Sequence, residues 1–113
     1  MRAPTANQLY HLILADIAMA GAIKACGGSV TLSEADYEPG SLRDRWLANA
    51  TDAGLRARVT AMASAGVGSL SGMEGERVLA AAESYGVPLK ATVAEAIAEH
   101  FANKREALLT YNR

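Results

Sequence analysis

The stretch from Leu9 to Ile23, LYHLILADIAMAGAI, is the most apolar in the chain and restricts the fold more than any other segment. On a helix, Leu9, Leu12, Ile13, Ile17, Ala20 and Ile23 form one stripe, and Tyr10, Leu14, Ala18 and Gly21 form another. A helix apolar on nearly every side has to be enclosed by its own bundle or half covered by a partner. A membrane span needs about 20 apolar residues, and this run is shorter and carries His11 and Asp16. As an export signal it would offer Arg2 at the start and Ala18-Met19-Ala20 for cleavage, but Asp16 interrupts the apolar region such a signal requires. Lys24, two residues before Cys26, spoils a lipoprotein site. The expectation is a central buried helix ending near Ala25, with Thr5 or Asn7 as N-cap and Gly27-Gly28 as the stop. Asp16 and His11 then need hydrogen-bond partners or a place at the rim. A homodimer through this N-terminal helix is the other way to cover it.

The rest of the chain points to an all-α fold. With 113 residues it suits one helical domain, 1–113, large enough to need neither disulfides nor metal. Alanine dominates and β-branched residues are sparse, which favours helices packed closely through small side chains. Ser29–Leu32 reads as an extended connector. Ser33–Asp36 forms a capping box for one turn, closed by Pro39-Gly40, and Ser41 caps a helix from about Leu42 to Ala50, with Leu42, Trp46, Leu47 and Ala50 facing the core. Thr51 or Asp52 opens a helix to about Ala65, where the flexible-looking stretch Ala65–Gly72 begins. A helix from Met73 or Glu74 to Tyr85 stops at Gly86 and Pro88, and Thr92, boxed with Glu95, caps a last helix to about Leu109. The architecture expected is a compact irregular bundle of about five helices with short Gly- and Pro-marked connections.

Charge and chemistry exclude more than they identify. The formal net charge is -1, and residues 1–50 carry four Lys/Arg and five Asp/Glu against seven and seven in 51–113, so no global basic field exists to hold nucleic acid. Cys26 is the only cysteine, which rules out an intramolecular disulfide and paired-cysteine zinc sites and fits a reducing, cytoplasmic setting. Gly66, Gly68 and Gly72 lack the Lys-Ser/Thr ending of a phosphate loop. Glu95 and Glu99 share a helix face, but His100 lies about 100° round from Glu99, so no metal or acid–base cluster forms there. Neither a cofactor nor an enzymatic activity is expected, although an enzyme with a site assembled from distant residues stands as a third reading.

Two stretches are candidates for binding. Glu34, Asp36 and Glu38, with Tyr37 between them, offer carboxylates and an aromatic ring to a basic protein partner; Arg43 and Arg45 flank Trp46 and offer the opposite charge. Ala82, Gly86 and Val87 resemble the Ala-x-x-x-Gly-Val core of a helix-turn-helix, in which alanine permits a close helix crossing and glycine makes the turn. That resemblance implies a DNA-binding regulator using residues 82–105, with Lys90, Thr92, Lys104 and Arg105 as contacts. It departs from the motif where Val93 arrives one position late and Glu95 and Glu99 occupy the recognition helix. The first expectation is a protein-binding adaptor, regulator or inhibitor that occupies a partner's surface, as small helical proteins of phages and mobile elements do. DNA binding is the alternative.

Overall fold

A computed structural model describes residues 5–30, 32–71 and 75–111, with the side chains in those ranges other than 6, 71, 75 and 103–111. Five helices follow in order: α1 Ala6–Ala25, α2 Leu42–Asn49, α3 Ala53–Ser71, α4 Gly75–Ser84 and α5 Ala91–Tyr111. No strand occurs among the described residues, so the fold is all-α.

Helix α1 starts where its first polar residues can satisfy each other. Thr5 Oγ1 accepts the Gln8 N–H at 3.2 Å, and Gln8 Oε1 accepts the Thr5 N–H at 2.9 Å, a reciprocal capping box. It ends at Gly27 in the left-handed region (φ +89°), with the Gly28 N–H bonded to the Ile23 carbonyl at 2.9 Å and the Gly27 N–H to that of Lys24 at 3.1 Å. Two carbonyls of the last turn are thereby satisfied.

Between these ends α1 is the hub. It packs against all four other helices, most extensively against α3. Ile13 and Ile17 have no exposed surface, and Leu14, Asp16, Ala18, Met19, Ala20, Ala22 and Ile23 are buried beside them. The apolar surface that suggested a homodimer is thus covered within the chain from Ile13 to Ile23, and only Leu12 of its large apolar residues remains substantially exposed. No helix among the described residues is long and apolar enough to cross a membrane.

Helices α2 and α3 are separate. Asp52 makes the break, its carboxylate accepting the Leu55 N–H at 3.1 Å as an N-cap for α3. α3 then runs beyond Ala65 through Gly66 and Gly68 to Ser71, where a flexible stretch was expected. Tertiary packing overrides the local preference of glycine: at Gly66 the backbone lies so close to α1 that a Cβ would stand 3.4 Å from that of Ala18. That is ordinary contact, and at Gly68 a Cβ would meet nothing within 4 Å. Gly68→Ala is therefore expected to stabilise the fold by about 0.5–1 kcal/mol, since alanine is the better helix former. Gly66→Ala should gain slightly less. Chemical denaturation checks both, and a loss of stability in Gly68→Ala would show that α3 is not a helix at this point.

α4 stops at the same kind of glycine as α1. Gly86 has φ +80°, the Val87 N–H bonds to the Ala82 carbonyl at 2.8 Å, and the Gly86 N–H to that of Glu83 at 3.2 Å. The Leu89 N–H then bonds back to the Val87 carbonyl at 3.1 Å, a tight turn about Pro88. Lys90 supplies the first acceptor of α5, its carbonyl taking the Val93 and Ala94 N–H groups. Thr92 is consequently inside the first turn of α5, two residues too late to be the expected cap.

Candidate functional site

Two features are candidates for function: a buried carboxylate that organises the N-terminal half, and an open apolar groove along the α4–α5 hairpin.

Asp16 is the buried charged residue of the core, only 2 % exposed. Its Oδ2 accepts the Tyr37 hydroxyl and the Gly40 N–H, each at 2.6 Å, and its Oδ1 accepts the Leu42 N–H at 3.3 Å. Gly40 adopts φ +88°, which turns the chain so that these donors converge on one carboxylate. Leu42 is the first residue of α2, and Ser41 at the N-cap makes no side-chain cap bond. Asp16 caps α2 from another helix, placing its charge where the N–H groups and the dipole favour an anion.

Burial is the largest influence on the Asp16 carboxyl and raises it above the ordinary aspartate range, while the Tyr37, Gly40 and Leu42 hydrogen bonds pull it down. The Tyr37 hydroxyl is pushed far up, first by burial and then by the bond to Asp16 and its charge. A carboxyl raised on folding contributes stability that is complete below its unfolded value and is lost as pH rises through its folded value. The stability of the wild type relative to Asp16→Asn should therefore decline from acid towards neutral pH. Melting both proteins across a pH series checks this; a constant difference would mean that the carboxyl titrates alike in the folded and unfolded chains.

The groove holds about 580 Å³ and is formed where the extended connector meets the hairpin. Val30 and Leu32 line it from the connector, Leu79 and Ala82 from α4, Val87 and Leu89 from the turn. Among the described residues, Glu83 is the only charged one on its wall. The left-handed glycine makes this meeting possible, because a Cβ on Gly86 would stand 3.2 Å from the Val30 carbonyl oxygen. Ala82 (1 % exposed) and Val87 are the groove residues that also belong to the buried core.

The residues singled out in the sequence are distributed unevenly. Glu34, Asp36 and Glu38 are exposed, with Asp36 receiving the Ser33 hydroxyl at 2.7 Å. Tyr37 corrects the expectation: it is buried, and its hydroxyl is used by Asp16, so its ring is not offered to a partner. Arg43 and Arg45 are exposed, and Trp46 between them is half-buried. Lys90 and Thr92 are exposed at the start of α5, whereas the side chains of Lys104 and Arg105 lie outside those described. Cys26 is partly buried and its thiol faces the Met62 sulfur at 3.5 Å. His11 and His100 both pack on the Tyr10 ring, at 5.3 and 5.7 Å between centroids, with Phe101 edge-on at 5.0 Å. No group of His, Cys, Asp or Glu among the described residues is arranged to hold a metal ion. No family model, curated protein or solved structure matches the chain.

Sequence reasoning located the hairpin but not the groove. The groove needs Val30 and Leu32, some 50 residues upstream of the turn they meet, and no local pattern links the two.

Proposed function

We propose that the chain is a non-enzymatic protein-binding module, a regulator or inhibitor of a cytoplasmic protein, and that the groove along the α4–α5 hairpin seats an apolar segment of that partner. The observation that carries this reading is the aliphatic wall of an open groove of about 580 Å³ with a single carboxylate, Glu83, upon it. Such a groove suits an amphipathic segment that inserts aliphatic side chains and sets a lysine or arginine against Glu83. The exposed Glu34, Asp36 and Glu38 add acidic contacts for a basic partner, and Arg43 and Arg45 add basic ones.

The test is affinity capture with the tagged full chain, compared with Leu89→Glu in the groove and Arg56→Glu on the exposed face of α3. Capture of a specific protein that is lost with Leu89→Glu and kept with Arg56→Glu supports the groove. Equal capture by both variants removes it.

A second reading takes the same hairpin as a DNA-binding regulator. The buried Ala82 and left-handed Gly86 match the close crossing and turn of a helix-turn-helix, and Lys90 and Thr92 are exposed. The connection 85–90 is longer than the motif's turn of about 3–4 residues, and Glu95 and Glu99 are exposed on α5. A salt-sensitive mobility shift with random duplex DNA favours this reading, and no shift at low salt ends it.

A further inference from the structure

A smaller cavity, of about 250 Å³, lies where α1, α2 and α3 meet, separate from the hairpin groove. Asp16 reaches its wall from α1, Arg43 from α2, and Thr60 and Ser64 from successive turns of α3; Met19 and Val67 make it apolar on one side. Among the described residues Arg43 forms no ion pair with Asp16 or another acid, so the buried carboxylate and the exposed guanidinium line one small cavity without touching. Thr60 is half-buried and Ser64 exposed, and neither hydroxyl has a hydrogen-bond partner among the described residues. Asp16 Oδ2 is filled by two donors at 2.6 Å, but Oδ1 holds only the Leu42 N–H at 3.3 Å. A carboxylate offers about two acceptor positions on each oxygen, so one position on Oδ1 is unused.

Opposite charges kept apart across a gap of this size narrow the ligand chemistry. A simple anion drawn to Arg43 is repelled by Asp16, and a simple cation drawn to Asp16 is repelled by Arg43. A small zwitterion satisfies both. The volume is below the roughly 300–1,000 Å³ of drug-sized sites, which excludes nucleotides and leaves room for a ligand of a few heavy atoms.

We propose that this cavity binds a small free α-amino acid. Its ammonium group donates to Asp16 Oδ1, its carboxylate accepts from Arg43 and from the Thr60 and Ser64 hydroxyls, and a short aliphatic side chain lies against Met19 and Val67. No bond is made or broken. This site stands whether or not the hairpin groove holds a partner.

The experiment is a nuclear magnetic resonance titration of the full chain with L-alanine and L-valine, beside propionate and ethylamine, which each carry one half of the zwitterion. Saturable binding of an amino acid is expected, with each half-ligand at least roughly tenfold weaker. Arg43→Ala, a change at an exposed residue, should weaken the amino acid by about tenfold or more while leaving the melting temperature of the unliganded protein unchanged. Ser64→Ala should weaken it less. Asp16→Asn also disturbs the fold, so the Arg43 variant carries the test. The proposal is overturned by the absence of saturation with either amino acid up to about 10 mM, by propionate binding as well as L-alanine, or by unaltered affinity in Arg43→Ala.

Discussion

Asp16→Ala should cost about 3–4 kcal/mol of folding stability at neutral pH and lower the Tm by roughly 10–20 °C. Alanine leaves the buried Tyr37 hydroxyl without its acceptor and strips the Gly40 and Leu42 N–H groups of theirs. Each buried donor left without an acceptor costs about 1–3 kcal/mol, and the vacated volume adds a cavity term. Tyr37→Phe removes only one of the three bonds and should cost about 1–2 kcal/mol. The order matters as much as the size. If Asp16 holds the 37–42 segment to α1, Asp16→Ala must exceed Tyr37→Phe, and helicity lost below the main transition should come from α2. A loss under about 1 kcal/mol in Asp16→Ala would mean that solvent replaces the carboxylate, and that Asp16 does not cap α2.

Ile97→Ala should cost about 3 kcal/mol, in the range for large-to-small changes in a packed core. Ile97 is fully enclosed and belongs to one core cluster with Val78 of α4 and with Ile13 and Ile17 of α1. Among the described side chains of α5 it is the one that is fully buried, and α5 packs on both α1 and α4. The neighbouring positions supply the control, because Ala98 and Glu99 are exposed and substitution there should stay within about 0.5 kcal/mol. Guanidinium unfolding of Ile97→Ala and Glu99→Ala distinguishes them: the midpoint should fall steeply for the first and hardly at all for the second, with similar slopes. Comparable midpoints would place α5 outside the cooperative unit.

The parts of this fold that were legible in the sequence are those fixed by neighbours along the chain. Thr5 with Gln8, Asp52 three residues before Leu55, and the glycines that close α1 and α4 each act within one helical turn. The central place of α1 was legible for a related reason: a helix apolar on every side has nowhere else to go. What was not legible depends on groups far apart in the chain. Tyr37 looked like a surface aromatic because its acidic neighbours are exposed, yet its partner Asp16 is 21 residues away. Gly66 and Gly68 looked like a hinge because glycine is a poor helix former; they lie within a helix that packs extensively on α1. Thr92 lost the capping role to Lys90 once the turn about Pro88 had set where α5 begins. Both candidate sites belong to this second class, each assembled from three segments that share no sequence pattern.

The enclosure of α1 also has a consequence for biosynthesis. Each described helix that packs on α1 lies C-terminal to it, so during translation α1 is made before the helices that shield it. At about 5–20 residues per second, the interval between completion of α1 and synthesis of Ile97 is on the order of ten seconds. For the part of that interval after it has left the ribosome, the most apolar segment of the chain is exposed to other nascent chains and to chaperones. Slower elongation through α2–α4 would lengthen the exposure, so synonymous codon choice over that region should govern soluble yield without altering a single residue of the product.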